Sequence, residues 1–473
     1  MIRKNRPWLF YDTTTSICAT CQRRIEAKII IKEPQVFLEK WCPVHGFERV
    51  LICDDAEYYR ICREVYLKPP EMPARFNTQM AYGCPYDCGL CPDHMQHSCV
   101  SVLEITDNCN LSCPICYAES NPQPAQQHRS LDEVLAMLDA VVANEGEADI
   151  VQLSGGEPTL HPDLFAILDA AKARSIRHLM INTNGLILAT DSAFVERLAE
   201  YTPGLEIYLQ FDSLQNETLK RLRGISSLAE IHQRALTHLE ALGISTTLVM
   251  TVVPGINADQ VGEVIQHALT WRCIRGVTLQ PLSNVGRVEV EGTWQPLTIS
   301  GLRRTVAEQS AVFSKEDVLP VPCNPDTLAM AYALKLDGEV IPLTRHLDAE
   351  TVLAGPRNTI VFERDPAVKE LVFQLYSTGL SPESQASCLS DLLCCLPRVA
   401  APALTYEQVF RVLIVQFMDR HNLDLRALKK SCIHFAQPDG QLIPFEAYNL
   451  FYRGRRAERT AQIQLDLSRC TSR

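Results

Sequence analysis

Cysteine placement constrains this chain more than any other feature. Twelve of its nineteen cysteines fall before residue 117, most of them in short-spaced groups. Thiols clustered in this way, in a chain of 473 residues, read as metal ligands rather than as the disulfide framework of a small secreted domain. The stretch from Met1 to Pro7 has charges but no apolar run behind them, so we expect no secretory signal and a cytoplasmic, reducing location. No run approaches the ~20 apolar residues of a spanning helix, so no membrane span is expected. Lys and Arg total 45 against 56 acidic residues, a net charge of −11, which argues against nucleic-acid coating and against docking on anionic lipid.

The chain divides into four stretches by pattern, expected as domains. Residues 1–70 carry a metal knuckle and residues 71–100 a further cysteine group. Residues 101–290 alternate apolar strands with helices, and residues 291–473 form a less regular extension. Strands are predicted at 101–106, 150–154, 178–182, 205–211, 245–252 and 276–280, with capping boxes at Ser130-x-x-Glu133 and Ser227-x-x-Glu230 opening two of the helices. Six strand–helix units in series predict an α/β fold, a parallel sheet curled into a partial (β/α)6 barrel of TIM type. Chemistry in such barrels sits on loops at the carboxyl ends of the strands. In the α+β extension, 332–343 and 433–445 each read as strand, Asp-Gly turn and strand, the pattern of a hairpin. The run 409–418 is predicted as a helix, and 396–403 is the best boundary within the extension.

Cys109-Asn-Leu-Ser-Cys113-Pro-Ile-Cys116, followed by Tyr117, leaves the first of these strands. Three thiolates at this spacing hold three irons of a four-iron four-sulfur (4Fe-4S) cluster, and no fourth thiolate lies in the loop. One iron is then open to a small molecule, whereas a zinc knuckle normally supplies four ligands. After the next strand comes Gly155-Gly156-Glu157-Pro158: two glycines permit close backbone approach to a ligand, and a carboxylate follows. Further polar residues stand where later strands stop: Thr183 and Asn184, Asp212 and Ser213, Thr251, and Gln280. They suit the lining of the barrel mouth, although Asn184-Gly185 also fits a turn and Asp212 a helix cap.

Three further cysteine groups invite metals. Cys84, Cys88, Cys91 and Cys99 repeat the same spacing and add a fourth thiolate, which would close an auxiliary 4Fe-4S cluster or hold zinc. Cys18, Cys21, Cys42 and His45 have mononuclear spacing for zinc or iron, with Cys53 an alternative to His45. Cys62 stands alone and reads as a small buried hydrophobe. The extension offers Cys323, Cys388, Cys394, Cys395, Cys432 and Cys470, from which Cys323, Cys432 and either Cys394 or Cys395 would form a third cluster.

The cysteine triplet and the Gly-Gly-Glu-Pro turn one strand later resemble those of the radical S-adenosylmethionine (SAM) superfamily. The order of all the pieces, from Cys18 to a tail reading Lys-Lys-Ser-Cys-Ile-His and Ile-Pro-Phe-Glu-Ala-Tyr-Asn-Leu-Phe-Tyr-Arg453, resembles its multi-cluster group. That group includes archaeal tetraether lipid synthases, and some members are labelled dihydropterin methyltransferases. The resemblance implies that SAM binds the open iron at Cys109, Cys113 and Cys116. Gly155, Gly156 and Glu157 would then grip its amine, with Tyr117, Asn184 and Asp212 in the same site. It also implies reductive cleavage of SAM to a 5′-deoxyadenosyl radical, a low-potential electron donor such as ferredoxin or flavodoxin, and functionalisation of an unactivated C–H bond. No protein acid–base pair is expected. The substrate is a lipid or a small molecule: joining alkyl chains calls for a long apolar channel, whereas methylating a pterin calls for a smaller pocket with placed polar groups. Outside the enzyme class, a non-catalytic iron–sulfur electron carrier is the alternative.

Overall fold

The computed structural model describes residues 6–121, 128–289, 296–336, 339–346, 349–354 and 408–471. The chain opens with a four-stranded antiparallel meander: β1 (Leu9–Ile17), β2 (Arg24–Lys32), β3 (Gln35–Cys42) and β4 (Gly46–Cys53). In β2, Glu26 and Lys28 face solvent while Ala27 and Ile29 are buried, the alternation of a one-sided sheet, and Ile30 and Ile31 beyond them are buried as well. The buried face meets Tyr58 and Tyr59 of α1 (Ala56–Glu64). Lys40 ties the meander to the rest of the chain, its buried ammonium donating to the carbonyls of Ile17 (2.9 Å), Arg420 (3.1 Å) and His421 (2.7 Å).

The six predicted barrel strands all form. They are β5 (Val100–Thr106), then, beyond the two-residue β6 (Ile115–Cys116), β7 (Ala148–Gly155), β8 (Ile176–Thr183), β9 (Leu205–Gln210), β10 (Thr246–Val252) and β11 (Ile274–Pro281). Each pairs in parallel with the next. Residues such as Leu103, Ile105, Val151, Leu153, Ile181, Ile207, Leu248 and Val277 are wholly buried, because helices cover the sheet. Those helices are α2 (Leu131–Glu145), α3 (Leu164–Lys172), α4 (Leu186–Thr190), α5 (Ser192–Ala199), α6 (Asn216–Arg223), α7 (Leu228–Ala241) and α8 (Val261–Leu269). Ser130 and Glu133 form the expected capping box on α2. Ser227 caps α7 without a side-chain hydrogen bond, so the second predicted box does not form.

The extension completes the sheet on both flanks. After β12 (Arg287–Val288) and α9 (Ile299–Gln309) come β13 (Leu319–Pro320), β14 (Leu328–Leu336), β15 (Glu339–Pro342) and β16 (Val409–Val415). β16 lies parallel to β11 and antiparallel to β14. At the opposite edge β17 (Ile433–Ala436) lies parallel to β5 and turns back as β18 (Leu442–Pro444). The two predicted hairpins are therefore β14–β15 and β17–β18. The helix predicted at 409–418 is instead strand β16: its run Val-Phe-Arg-Val-Leu-Ile-Val is β-branched and buried, a pattern that periodicity alone assigns poorly. A buried ion-pair network links β8, β9 and β16, with Glu206 accepting from His178 (3.0 Å) and Arg411 (2.9 Å), and also from Thr247. Among the described residues no helix is long and apolar enough to cross a membrane. Residues 396–403 and Cys388, Cys394 and Cys395 lie outside the described residues, as does the side chain of Cys470.

Candidate active site and metal centres

Cys109, Cys113 and Cys116 lie on the loop after β5 and line one cavity at the carboxyl ends of the barrel strands. The loop is held from three sides. β6 pairs with β12, and Arg287 on β12 donates from Nε to the Cys113 carbonyl (2.7 Å), from Nη1 to Asn121 (2.6 Å) and from Nη2 to the Ser120 carbonyl (2.9 Å). The Leu111 amide donates to the Cys109 sulfur (3.4 Å). Burial pushes the Cys109 thiol up to about 12 and raises that of Cys113, so an empty loop would hold protonated thiols. Bound metal would reverse this by displacing the protons.

The Gly-Gly-Glu-Pro turn packs on the cysteine loop itself. Gly156 donates to the Thr106 carbonyl (2.7 Å) and Glu157 to the Asn108 carbonyl (2.8 Å). A Cβ on Gly155 (φ +125°) would stand 2.1 Å from the Thr106 oxygen, and one on Gly156 would stand 2.2 Å from the Asn108 oxygen. The glycines thus permit the approach of two protein loops. Glu157 is fully buried and its oxygens are occupied: Oε1 accepts from Thr159 Oγ1 (2.6 Å) and Thr183 Oγ1 (2.7 Å), and Oε2 from the Asn184 amide (2.8 Å). Its carboxylate braces the turn against the end of β8.

Asn184 lines the cavity and donates to the Asn110 side chain on the cysteine loop (2.7 Å). Asp212 is not among the cavity-lining residues. It sits in the left-handed region (φ 56°), accepts the Thr251 amide (2.8 Å) and pairs with Arg223 of α6. Arg223 does line the cavity. It also donates to Gln210 (3.0 Å) and to the Cys113 sulfur. Tyr117 lines the cavity too, its hydroxyl 3.0 Å from that of Ser154.

Below the thiols a second chamber opens into the barrel. Gln152, Asn182, Gln210 and Gln280, from β7, β8, β9 and β11, line it together with Tyr117, Phe417 and Phe445. Asn182 donates to Ser154 (3.1 Å) and Gln210 to Asn182 (2.8 Å), so a polar chain runs from Tyr117 to Arg223 between the two chambers. Sequence reasoning missed Arg223, Gln152, Asn182 and Gln210. The signal was an amide at an inward position of otherwise apolar strands, repeated on four of them.

The donor atoms of Cys18, Cys21, Cys42 and His45 all lie within 4.8 Å of one another. Burial opposes ionisation of Cys42, but the amides of Val44 and His45 and the His45 ring pull its pKa down to about 6. Cys53 is not part of this group; its thiol donates to the Asp55 carbonyl and to Ser300, both at 3.1 Å. Cys84, Cys88 and Cys91 stay together, with the Asp87 carboxylate gathering the amides of Ala81 (2.7 Å) and Gly83 (2.8 Å) beneath the loop. Cys99 does not close that group. Its sulfur lies with those of Cys323 and Cys432, all within 4.8 Å, because β17 pairs with β5 and delivers Cys432 beside it. The equal spacing of the two triplets had suggested otherwise, but a strand pairing across more than three hundred residues decides the partner.

The pattern of the Radical SAM superfamily matches residues 103–268, and that of the HMPTM N-terminal zinc ribbon domain matches residues 10–54. The 7,8-dihydro-6-hydroxymethylpterin dimethyltransferase of Methanocaldococcus jannaschii is 29% identical, over 93% of this chain and 94% of its own length. GTP 3',8-cyclase 3 of Mycobacterium bovis is 28% identical over 35% of this chain and 44% of its own. A solved structure of Streptococcus suis SuiB bound to S-adenosylmethionine covers 42% of this chain and 45% of its own at 17% identity and a TM-score of 0.36, a likeness too slight to carry an argument. Radical SAM enzymes use a 4Fe-4S cluster and SAM, and the donor set fits. Three thiols face one cavity whose other described lining residues include no cysteine or histidine. The match runs from β5 to α8, across the loops that carry those thiols and the glycine turn, and the chain is an enzyme of the radical SAM superfamily.

Proposed function

We propose that this enzyme replaces a C–H bond of a pterin-like heterocycle by a C–methyl bond, using a 4Fe-4S cluster at Cys109, Cys113 and Cys116 with SAM beside it. When bound, that pair supplies a 5′-deoxyadenosyl radical able to take hydrogen from unactivated carbon. The observation that carries the substrate reading is the lower chamber. Four amides ring it, and Tyr117, Phe417 and Phe445 offer faces for stacking. Side-chain amides match the donor–acceptor edge of an aminopyrimidinone, and aromatic faces match its flat ring. A relative named as a pterin dimethyltransferase that spans nearly the whole chain supports the same reading. A long alkyl chain would gain no hydrogen bond from these four amides.

The remaining roles follow from the geometry. Gly155 and Gly156 bring their turn against the cysteine loop, and its backbone carbonyls are assigned to the SAM amine because the Glu157 oxygens are already occupied. Tyr117 closes the lower chamber above the substrate and keeps water from the radical path. Cys84, the half-exposed member of its loop, suits electron entry from a ferredoxin or flavodoxin through an auxiliary cluster on Cys84, Cys88 and Cys91. The knuckle of Cys18, Cys21, Cys42 and His45 takes zinc or iron. Thiols in this number also suit a cytoplasmic location.

The test is an anaerobic turnover of reconstituted protein with dithionite, methyl-labelled SAM and 7,8-dihydro-6-hydroxymethylpterin. We expect 5′-deoxyadenosine together with a methylated pterin by mass spectrometry, and neither with Cys109→Ala. Deoxyadenosine formed with the pterin left unmodified would reject the substrate reading, and the label in the product would identify the methyl donor.

A further inference from the structure

We propose that His97 is the fourth ligand of an iron–sulfur centre held by Cys99, Cys323 and Cys432, with Glu145 fixing the imidazole. This centre is distinct from the loop of Cys84, Cys88 and Cys91, and does not depend on the substrate reading above. Three thiols from distant parts of the chain meet with their sulfurs within 4.8 Å, each side chain almost wholly buried. Cys323 and Cys432 approach to 4.0 Å. Burial of three thiols together, in a chain whose other cysteine groups have metal spacing, is the mark of a metal-binding trio rather than of core packing.

The fourth position is occupied by a histidine already set for it. His97 Nε2 stands 3.6 Å from the Cys99 sulfur. Its other ring nitrogen, Nδ1, is 2.9 Å from Glu145 Oε2, with side chains only 1% and 2% exposed. Glu145 is itself anchored, its Oε1 accepting the Ser98 amide at 3.0 Å. A carboxylate that accepts a hydrogen bond from Nδ1–H leaves Nε2 with a lone pair aimed at the sulfurs. Metal-bound histidines are arranged in this way, since the carboxylate fixes both tautomer and ring plane. Nε2 lies outside the 4.8 Å group that the three sulfurs form, in contrast to His45, which lies within the group at the amino-terminal knuckle. A single ion would not reach all four donors, whereas a multi-iron core would, and this favours a cluster over zinc.

The position gives the ligand a purpose. Val100, Val102, Leu413 and Phe445 belong to the same buried cluster as the cysteine trio and also line the lower chamber, so one cluster joins the centre to the substrate space. A neutral imidazole in place of a thiolate makes the core less negative and raises its reduction potential. Such a centre is poorly suited to supplying the low-potential electron for SAM cleavage.

The experiment uses full-length protein grown with nitrogen-15 histidine. Cys109→Ala, Cys113→Ala and Cys116→Ala silence the SAM site, and His45→Cys removes the other candidate histidine ligand. After anaerobic reconstitution and reduction, pulsed EPR should show coupling from a labelled histidine nitrogen. His97→Cys should abolish that coupling, keep the iron and sulfide content and lower the midpoint potential. Glu145→Gln should keep the coupling at altered strength. No labelled-nitrogen coupling in the starting protein overturns the proposal without any His97 variant having to fold. So does coupling that survives His97→Cys, or zinc without sulfide at the cysteine trio.

Discussion

Asp212 spends its carboxylate on Arg223, and Arg223 lies against the sulfur of Cys113. The acid that sequence reading placed beside SAM therefore acts one step back, holding a cation at the cluster loop. Burial works against the charge on Arg223, but Asp212 and Cys113 hold its pKa above the usual value.

Arg223→Met should strand the buried Asp212 carboxylate and destabilise the fold by ~3–5 kcal/mol. It should also lower the potential of the SAM-site cluster, because a cation beside a thiolate favours the reduced, more negative core. Arg223→Lys should recover part of the stability and part of the potential. Chemical denaturation and EPR-monitored potentiometry separate the two effects, and an unchanged potential in both variants would remove Arg223 from the redox account.

Gly156→Ala adds a methyl group where only 2.2 Å separates it from the Asn108 carbonyl. We expect ~1–3 kcal/mol of overpacking cost and a loss of SAM affinity of about tenfold or more, since the cysteine loop must retreat. Equilibrium dialysis against labelled SAM reads the second effect; affinity equal to the parent would show that the loops can part freely.

Gln152 lines the lower chamber and not the upper one, whereas Gln280 lines both. Gln152→Leu should therefore raise pterin KM about tenfold, ~1.4 kcal/mol, while SAM affinity holds and deoxyadenosine forms without product. Loss of SAM binding in this variant would assign its amide to the SAM site instead.

His232 of α7 is fully buried against Phe211, with ring centroids 5.1 Å apart, and burial lowers its pKa to about 4. The folded chain keeps it neutral, whereas the unfolded chain protonates it near its ordinary value of ~6.5. Its contribution is complete above about pH 6.5 and fades as pH falls towards about 4. Over that window the native state should lose about 3 kcal/mol on account of this residue. His232→Leu should flatten that part of the stability–pH curve; an unaltered slope would mean that the ring is charged in the fold.

The barrel was legible because its strands are apolar runs between capped helices, and a parallel sheet buried on both faces demands just that composition. The cysteine loop, the glycine turn and the knuckle were legible because their ligands lie close in sequence. Long-range pairing was not. Cys99 joins Cys432 only through the register of β17 on β5, which no local spacing encodes. The run at 409–418 has the residues of a buried strand and the length of a short helix, and its neighbours β11 and β14 settle the matter. Glu157 and Asp212 were read as cofactor-binding residues, yet their partners, Thr183 and Arg223, sit on other elements, so bracing could not be told from binding.

The seating of Gly155 and Gly156 on the carbonyls of Thr106 and Asn108 has a mechanical corollary. The platform for the metal and the cradle for its cofactor are spliced along their main chains, so neither can shift without carrying the other. Arg287 clasps the far side of the same loop, so the platform is pinned on both flanks.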